Sequence, residues 1–269
     1  MKVVFTSHRV ENLPFLKREF ESSEIIVLEE PKNEYFDEVL SQKIDIESYV
    51  KLIDTQFPLY TKKLIELLRN LKNKNIIQIE PYLEEVERIR NFGTGDQRVI
   101  DAERRANLAY IDYIESFMKK NFEDIIEKVI RFAKADAERF ILRDEMRARA
   151  IQEDATIEAG VMHTKLAELL DADTVSIPQL IAKRLSVNYV ENPGTVLTKS
   201  YIYNFDCDEE LLAARSLIYI SLVEKKELLP STENPYPHFV NEQKVTRFVN
   251  KLDFEKCRRI FDKLWKIKN

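Results

Sequence analysis

The sequence contains little glycine, histidine, cysteine or tryptophan, and these shortages exclude several classes of protein. It has four glycines, three histidines, two cysteines and one tryptophan in 269 residues. The cysteines, Cys207 and Cys257, lie fifty positions apart without a C-x-x-C motif or a Cys/His cluster, which argues against a zinc finger or a disulfide framework. No segment approaches the roughly 20 apolar residues that span a bilayer. The N-terminal residues do not read as a signal peptide. We therefore expect a cytoplasmic protein with two reduced thiols and no membrane partner.

Charged residues, by contrast, are abundant. They make up 33% of the chain, hydrophobic residues make up 44%, and the formal net charge is −5. The negative balance argues against a dedicated nucleic-acid binder. Plentiful Lys, Glu, Arg and Ile with scarce Gly give a composition that leans toward a thermophilic source. A chain of this length and composition predicts a globular fold with a sizeable buried core.

Four short apolar runs, rich in β-branched residues, predict buried strands. Helical patterns separate them, and Pro58 is expected to break the pattern in residues 46–71. Strands that alternate with helices indicate βαβ crossovers and a mostly parallel sheet, hence an α/β fold. The predicted strands are residues 2–6, 24–28, 75–79 and 155–160.

A long helical insertion is expected between the third and fourth strands, in residues 97–152. Asn121 followed by Asp124 resembles a helix start, so we predict two helices there. The chain ends in further helical patterns. This predicts an α/β core domain in residues 1–203, which includes the insertion, and a helical C-terminal extension in residues 204–269.

Polar residues follow each of the four predicted strands. His8, Glu29, Glu30, Glu80 and His163 stand at or just beyond the strand ends. In a parallel sheet all carboxyl ends lie at one edge, where α/β proteins bind their ligands. Imidazole with carboxylate is a ligand set for a divalent metal, and the same groups serve as a general-base pair. The pattern therefore predicts a functional site at this edge and leaves both chemistries open.

Further polar residues lie in the last predicted strand and in the helix before it. Gly160, three positions before His163, suggests a close approach of the backbone to something that the histidine holds. Glu158 is flanked by apolar residues and needs a partner if it is buried. Arg143 and Arg147 share a helical face. That face is either a solvated charge ladder or a source of guanidinium groups for Glu158 or an anionic substrate.

The order of four short motifs resembles a known superfamily. "TSH" follows the first strand, "LEE" ends the second, "RDEMRA" lies late in a long helix, and "GVMH" follows the fourth strand. This order is similar to the superfamily of TraB/PrgY pheromone-shutdown proteins, Tiki metalloproteases, erythromycin esterases and ChaN-like haem-binding proteins, with the TraB-like branch nearest. The resemblance covers roughly residues 1–170. It implies hydrolysis more strongly than any particular substrate.

The resemblance also implies positions for the site. The second GxxH motif is intact, whereas the first has Phe5 in place of its glycine. The matching positions are His8, Glu29, Glu80, Arg143, Asp144, Gly160 and His163.

The leading hypothesis is a hydrolase of a small-molecule or peptide substrate that depends on a divalent metal (Mn, Co or Zn). His8, Glu29 and His163 would be metal ligands or bases, and Arg143 would stabilise an oxyanion. Two alternatives stay open: a non-catalytic protein that binds haem or another small ligand, and a helical interaction protein whose 97–152 helices pack against a partner or a second copy of the chain. The residues expected to bind the ligand are Glu80, Glu158, Gly160 and Asp144.

Overall fold

A five-stranded, all-parallel sheet lies at the centre of the fold, with strand order β3-β2-β4-β1-β5. The computed structural model describes residues 1–267, and side chains up to residue 264. The predicted α/β class is confirmed, as is the parallel sheet. The strands are β1 (Lys2–Thr6), β2 (Ile25–Leu28), β3 (Asn75–Gln78), β4 (Thr156–Gly160) and β5 (Asp173–Ser176).

The four predicted strands lie where the apolar runs placed them, and β5 was not predicted. Val3, Ile26 and Ile157 are buried on neighbouring strands, as expected for a sheet that is covered on both faces. The segment "DTVS" of β5 is polar and largely exposed. It pairs with β1 at the edge of the sheet, where a strand needs no continuous apolar run.

Helices connect the strands. A short 3-10 helix, Val10–Asn12, precedes α1. The helices up to β4 are α1 (Leu13–Glu21), α2 (Phe36–Leu40), α3 (Ile46–Leu52), α4 (Pro58–Arg69), α5 (Pro81–Phe92), α6 (Gln97–Lys119) and α7 (Phe122–Ala150). Those after β4 are α8 (Thr164–Leu169), α9 (Ile177–Arg184), α10 (Pro193–Tyr203), α11 (Glu209–Leu222), α12 (Pro237–Val249) and α13 (Phe254–Ile267). None of the helices in residues 1–267 is long and apolar enough to cross a membrane.

The predicted helix breaks are present. Pro58 is the first residue of α4, where its missing N–H costs no intrahelical bond. Asn121 separates α6 from α7, and its side-chain oxygen accepts a hydrogen bond from the Asp124 backbone N–H at 3.2 Å. The long helical insertion between β3 and β4 and the helical C-terminal region are therefore confirmed up to residue 267. Residues 268–269 of the predicted extension lie outside the described residues.

The chain forms two compact units, each made of three segments. The first comprises Met1–Glu84, Arg143–Asn188 and Lys225–Phe239, and contains the sheet. The second comprises Glu85–Leu142, Tyr189–Glu224 and the chain from Val240 onward, and has its own helical core. The domain boundary predicted after residue 203 stays a prediction.

Two buried or half-buried carboxylates attach the third segment of the first unit, Lys225–Phe239. Glu11 accepts hydrogen bonds of 2.9 and 2.7 Å from two backbone N–H groups in the first turn of α12. Glu227 accepts bonds of 3.0 and 2.9 Å from two backbone N–H groups in the first turn of α4. Each carboxylate satisfies helix donors that otherwise lack a partner and lies at the positive end of a helix dipole.

Candidate functional site

The strand order places a switch point between β2 and β4. From β2 the chain leads to β3 on one side, and from β4 it leads to β5 on the other side. The connections after two adjacent strands thus diverge, which opens the crevice in which α/β proteins bind ligands. Glu29 directly follows β2, and His163 follows β4 by three residues. The fold therefore brings these two predicted site residues to the same crevice.

Glu29, Gly160 and His163 are in direct contact. The Gly160 backbone N–H donates to Glu29 Oε2 at 2.5 Å, and His163 Nε2 lies 2.8 Å from Glu29 Oε1. A Cβ at position 160 would lie 3.4 Å from Glu29 Oε2 and 3.5 Å from the Cδ2 atom of His163. These are ordinary van der Waals separations, so a Cβ would fit at this position, and the close approach of β4 to the carboxylate and the imidazole does not require glycine.

Asp144 holds the other side of the imidazole. Its Oδ1 atom lies 2.5 Å from His163 Nδ1, and its Oδ2 atom accepts a 3.0 Å hydrogen bond from the Leu166 backbone N–H. Leu166 is in the first turn of α8, so Asp144 both caps this helix and orients the ring. His163 is 2% exposed. The result is a buried carboxylate–imidazole–carboxylate chain from Asp144 to Glu29.

Electrostatics favour the charged imidazolium. Burial alone would lower the pKa of His163, but the carboxylates of Glu29 and Asp144 raise it above its ordinary value. Burial alone would raise the pKa of Glu29, but His163, followed by the guanidinium groups of Arg147 and Arg143, holds it well below its ordinary value. The sequence suggested this imidazole as a metal ligand or a base. Here a carboxylate faces each ring nitrogen, and this arrangement favours the protonated ring.

Two arginines of α7 compensate the acidic groups. Arg143 Nη2 donates to Glu29 Oε1 at 3.1 Å and to Glu80 Oε2 at 2.9 Å. Arg147 is fully buried and donates from Nη2 to the backbone carbonyl of Glu158 at 2.9 Å. It also lies 3.7 Å from Glu29 and 3.8 Å from Glu80. We call Glu29, Glu80, Asp144, Arg143, Arg147 and His163 the buried network.

Arg143 was expected either to be solvated or to face the site and pair with a buried acid such as Glu158. It pairs with two buried acids, Glu29 and Glu80. Arg147 joins the network through hydrogen bonds to the backbone carbonyls of Ile79 and Glu158 and was not among the predicted site residues, although its place one turn further along the same helical face was a signal for it.

A second cluster contains the remaining predicted residues. The Tyr60 hydroxyl donates to Glu158 Oε1 at 2.7 Å, so the partner of this buried carboxyl is a phenol. The His8 ring lies 5.2 Å from the Tyr60 ring and 5.4 Å from that of Phe57. Burial raises the pKa values of Glu158 and of Glu30, which also repel each other. The His8 ring thus contacts two aromatic rings at tilted angles, whereas Glu29 and His163 contact each other directly.

Among the described residues, no group of three or more His, Cys, Asp or Glu side chains has an arrangement that could hold a metal ion. Both ring nitrogens of His163 face carboxylates, and each oxygen of Glu29 faces an N–H donor. The predicted ligand set of His8, Glu29 and His163 therefore does not fit a divalent cation in this arrangement. The predicted metal requirement stays a prediction.

Fold and site together define an α/β protein with a parallel sheet and a buried acid–imidazole–arginine network at its switch point. The chain belongs to the same family as an uncharacterized protein of Archaeoglobus fulgidus. The two are 57% identical over 267 residues, which cover 98% of this chain and 99% of that protein. No model of a known protein family matches the chain, and no solved structure matches it significantly. The resemblance to the TraB-like superfamily stays a prediction.

Proposed function

We propose that the chain is a hydrolase whose reaction takes place at the carboxyl edge of β2 and β4. The observation that carries this proposal is the Asp144–His163–Glu29 chain at the switch point of the sheet. The imidazole of His163 and the carboxylate of Glu29, 2.8 Å apart, place a group that can donate a proton beside one that can accept it. The motif order shared with the TraB-like superfamily supports the same class of reaction.

The roles follow from the two protonation states. The carboxylate of Glu29 removes a proton from water, and the water oxygen forms the new bond to the substrate carbonyl or phosphoryl centre. His163 donates its Nε2 proton to the leaving group as the scissile bond breaks. The proton on Glu29 then returns to His163 across their 2.8 Å contact, so both groups regain their starting states. Asp144 keeps the ring oriented throughout through Nδ1.

Arg143 is the group best placed to meet the substrate. Its side chain is 15% exposed, compared with 3% for that of His163 and 0% for that of Arg147. A guanidinium at the open side of the network stabilises negative charge that develops on an oxygen in the transition state. Arg147 stays buried as the counter-charge of Glu29 and Glu80.

A substrate panel tests the proposal. Chelator-treated protein is incubated with p-nitrophenyl carboxylic esters, p-nitrophenyl phosphates and fluorogenic peptides, each with and without added Mn²⁺, Co²⁺ or Zn²⁺. We expect turnover of at least one class, reduced at least about 100-fold in His163→Asn and in Glu29→Gln. The assays with added metal test the divalent-metal requirement that the sequence suggested.

His238→Asn is the matched control, because His238 is also buried but accepts a backbone hydrogen bond from Leu228 away from the network. Its activity should follow its folded fraction. Absence of turnover with every class and metal, or equal losses in the control and in His163→Asn, would contradict the proposal.

A further inference from the structure

Two acids without an ionic partner lie in the second cluster, which comprises His8, Glu30, Phe57, Tyr60 and Glu158. Glu158 is 2% exposed and Glu30 is half-buried. Among the described residues, neither of their carboxyl groups forms an ion pair with a lysine, arginine or histidine. Burial raises the pKa of both groups, and the more distant His8 offsets this only in part. Since a buried carboxylate requires a compensating positive charge, the second cluster lacks a cation.

Each of the two carboxyl groups has one oxygen that is engaged and one that is open. The Tyr60 hydroxyl donates to Glu158 Oε1 at 2.7 Å, and Gln78 Nε2 donates to Glu30 Oε2 at 2.9 Å. Within the part of the chain that the structure describes, no donor contacts Glu158 Oε2 or Glu30 Oε1. A carboxyl group as deeply buried as that of Glu158 normally has its oxygens hydrogen-bonded. Its open oxygen therefore points to a donor that comes from outside the chain.

The second cluster has a closed end and an open side. Glu158 forms the closed end, whereas His8 and Glu30 are half-buried and thus reach the surface. The His8 ring lies 5.2 Å from the Tyr60 ring and 5.4 Å from the Phe57 ring, so aromatic groups line the way to the acids. Aromatic ring faces attract cations. Acids at the closed end and rings beside them together suit a positively charged group.

We propose that the second cluster binds a primary ammonium group of the substrate. An ammonium group is compact and has three donors, so it can meet the open oxygen of Glu158, the open oxygen of Glu30 and a ring face. A guanidinium group fits less well, because its paired donors require both oxygens of one carboxylate, and neither acid has both oxygens open. A metal ion does not fit either, since no group of three or more acidic, histidine or cysteine side chains in the described chain could hold one.

The amine is assigned to the substrate because the second cluster adjoins the proposed reaction site. Glu30 follows Glu29 directly, and Glu158 lies two residues before Gly160 on β4. A substrate held by its ammonium group in the second cluster would therefore lie beside the Glu29–His163 pair. This assignment rests on the proposed hydrolysis, whereas the ammonium site itself does not.

Isothermal titration calorimetry of the full chain with n-butylammonium chloride tests the site. We expect binding of n-butylammonium, none of its neutral counterpart n-butanol, and binding of n-butylguanidinium that is weaker at least about 10-fold. Glu158→Gln and Glu30→Gln should each weaken binding of n-butylammonium at least about 10-fold, because each removes a charged acceptor. Glutamine at position 158 still accepts the hydrogen bond from Tyr60, so this variant should fold, which thermal melting checks.

Glu145→Gln is the matched control, because it removes the same charge from an exposed residue of α7 that pairs with Arg149. It should bind n-butylammonium like the unchanged chain. Absence of binding by the unchanged chain overturns the proposal. Binding that persists in Glu158→Gln, that n-butanol matches, or that Glu145→Gln weakens equally overturns it as well. The measurement requires no turnover, so a failure of the ammonium site is distinguishable from a failure of the proposed hydrolysis.

Discussion

Arg147→Met is the most direct test of the buried network. Methionine replaces the arginine with an unbranched side chain of similar length, so the change removes the charge and the donors with little loss of volume. In the unchanged protein the guanidinium donates to the carbonyls of Ile79 and Glu158 and lies within 4 Å of Glu29 and Glu80. The variant leaves these carboxylates with one guanidinium instead of two.

The expected loss of stability is about 4 kcal/mol, because breaking a buried ion pair by removal of one partner costs roughly 3–5 kcal/mol. For a protein of this size each kcal/mol corresponds to about 2–4 °C in Tm, so Tm should fall by roughly 8–16 °C. Urea unfolding and thermal melting followed by circular dichroism measure both quantities. Arg149→Met is the control on the same helix, since Arg149 is exposed and pairs with Glu145, which is on the same helix. It should change stability by no more than about 0.5 kcal/mol.

The pH dependence of the stability loss gives a second test of the role of Arg147. The folded-state pKa of Glu29 is depressed. Its contribution to the free energy of unfolding is therefore present above its unfolded-state pKa of about 4.3 and is lost as the pH falls through its folded-state pKa. Arg147 causes part of this depression, and without it the carboxyl group protonates more readily. The difference between the variant and the unchanged protein should therefore stay constant from pH 7.5 to pH 5 and shrink below about pH 4.3, where the carboxyl group of the variant protonates first. A loss below 1 kcal/mol at pH 7.5, or a difference that shrinks already between pH 7.5 and pH 5, would refute the reasoning.

Two more predictions concern the β4 end of the site. The raised pKa of His163 means that the histidine contributes fully to the free energy of unfolding below its unfolded-state pKa of about 6.5, and that this contribution is lost as the pH rises through its folded-state pKa. The free energy of unfolding should therefore fall more steeply from pH 6 to pH 9 in the unchanged protein than in His163→Asn. Parallel curves for the two proteins would contradict this. Gly160→Ala should be tolerated, because its Cβ would meet Glu29 and His163 at 3.4 and 3.5 Å, whereas the two further methyl groups of Gly160→Val should displace them and lower Tm; equal Tm values for the two variants would count against this packing.

The sheet was predictable because its strands are buried on both faces. A buried parallel strand must be a short apolar run, and four of the five strands have this signature, whereas β5 pairs at the edge and is polar. The helix breaks at Pro58 and Asn121 were predictable for a similar reason, since each depends on the chemistry of one local residue. Local signals thus predicted most of the sheet and of the helices around it.

The site was predictable only as far as the fold determines it. Parallel strands bring Glu29 and His163 to the carboxyl edge of the sheet, and this placement does not depend on the conformations of their side chains. Which acid each arginine contacts depends on side-chain directions across α7 and three strands, and the spacing along the chain does not carry that information. Arg143 therefore pairs with Glu29 and Glu80, while Glu158 has Tyr60 as its partner. The charge state of His163 depends in turn on these long-range contacts.

The attachment of residues Lys225–Phe239 decides how this protein can be cut into pieces for study. A fragment that ends at residue 203 keeps every strand but removes Glu227 from α4 and the α12 backbone donors from Glu11. It would leave uncapped N–H groups at the start of α4 and the Glu11 carboxylate without its backbone partners. Expression of the sheet-containing unit therefore requires its three segments to be rejoined through linkers, or two fragments to be co-expressed so that the later one supplies Lys225–Phe239 in trans.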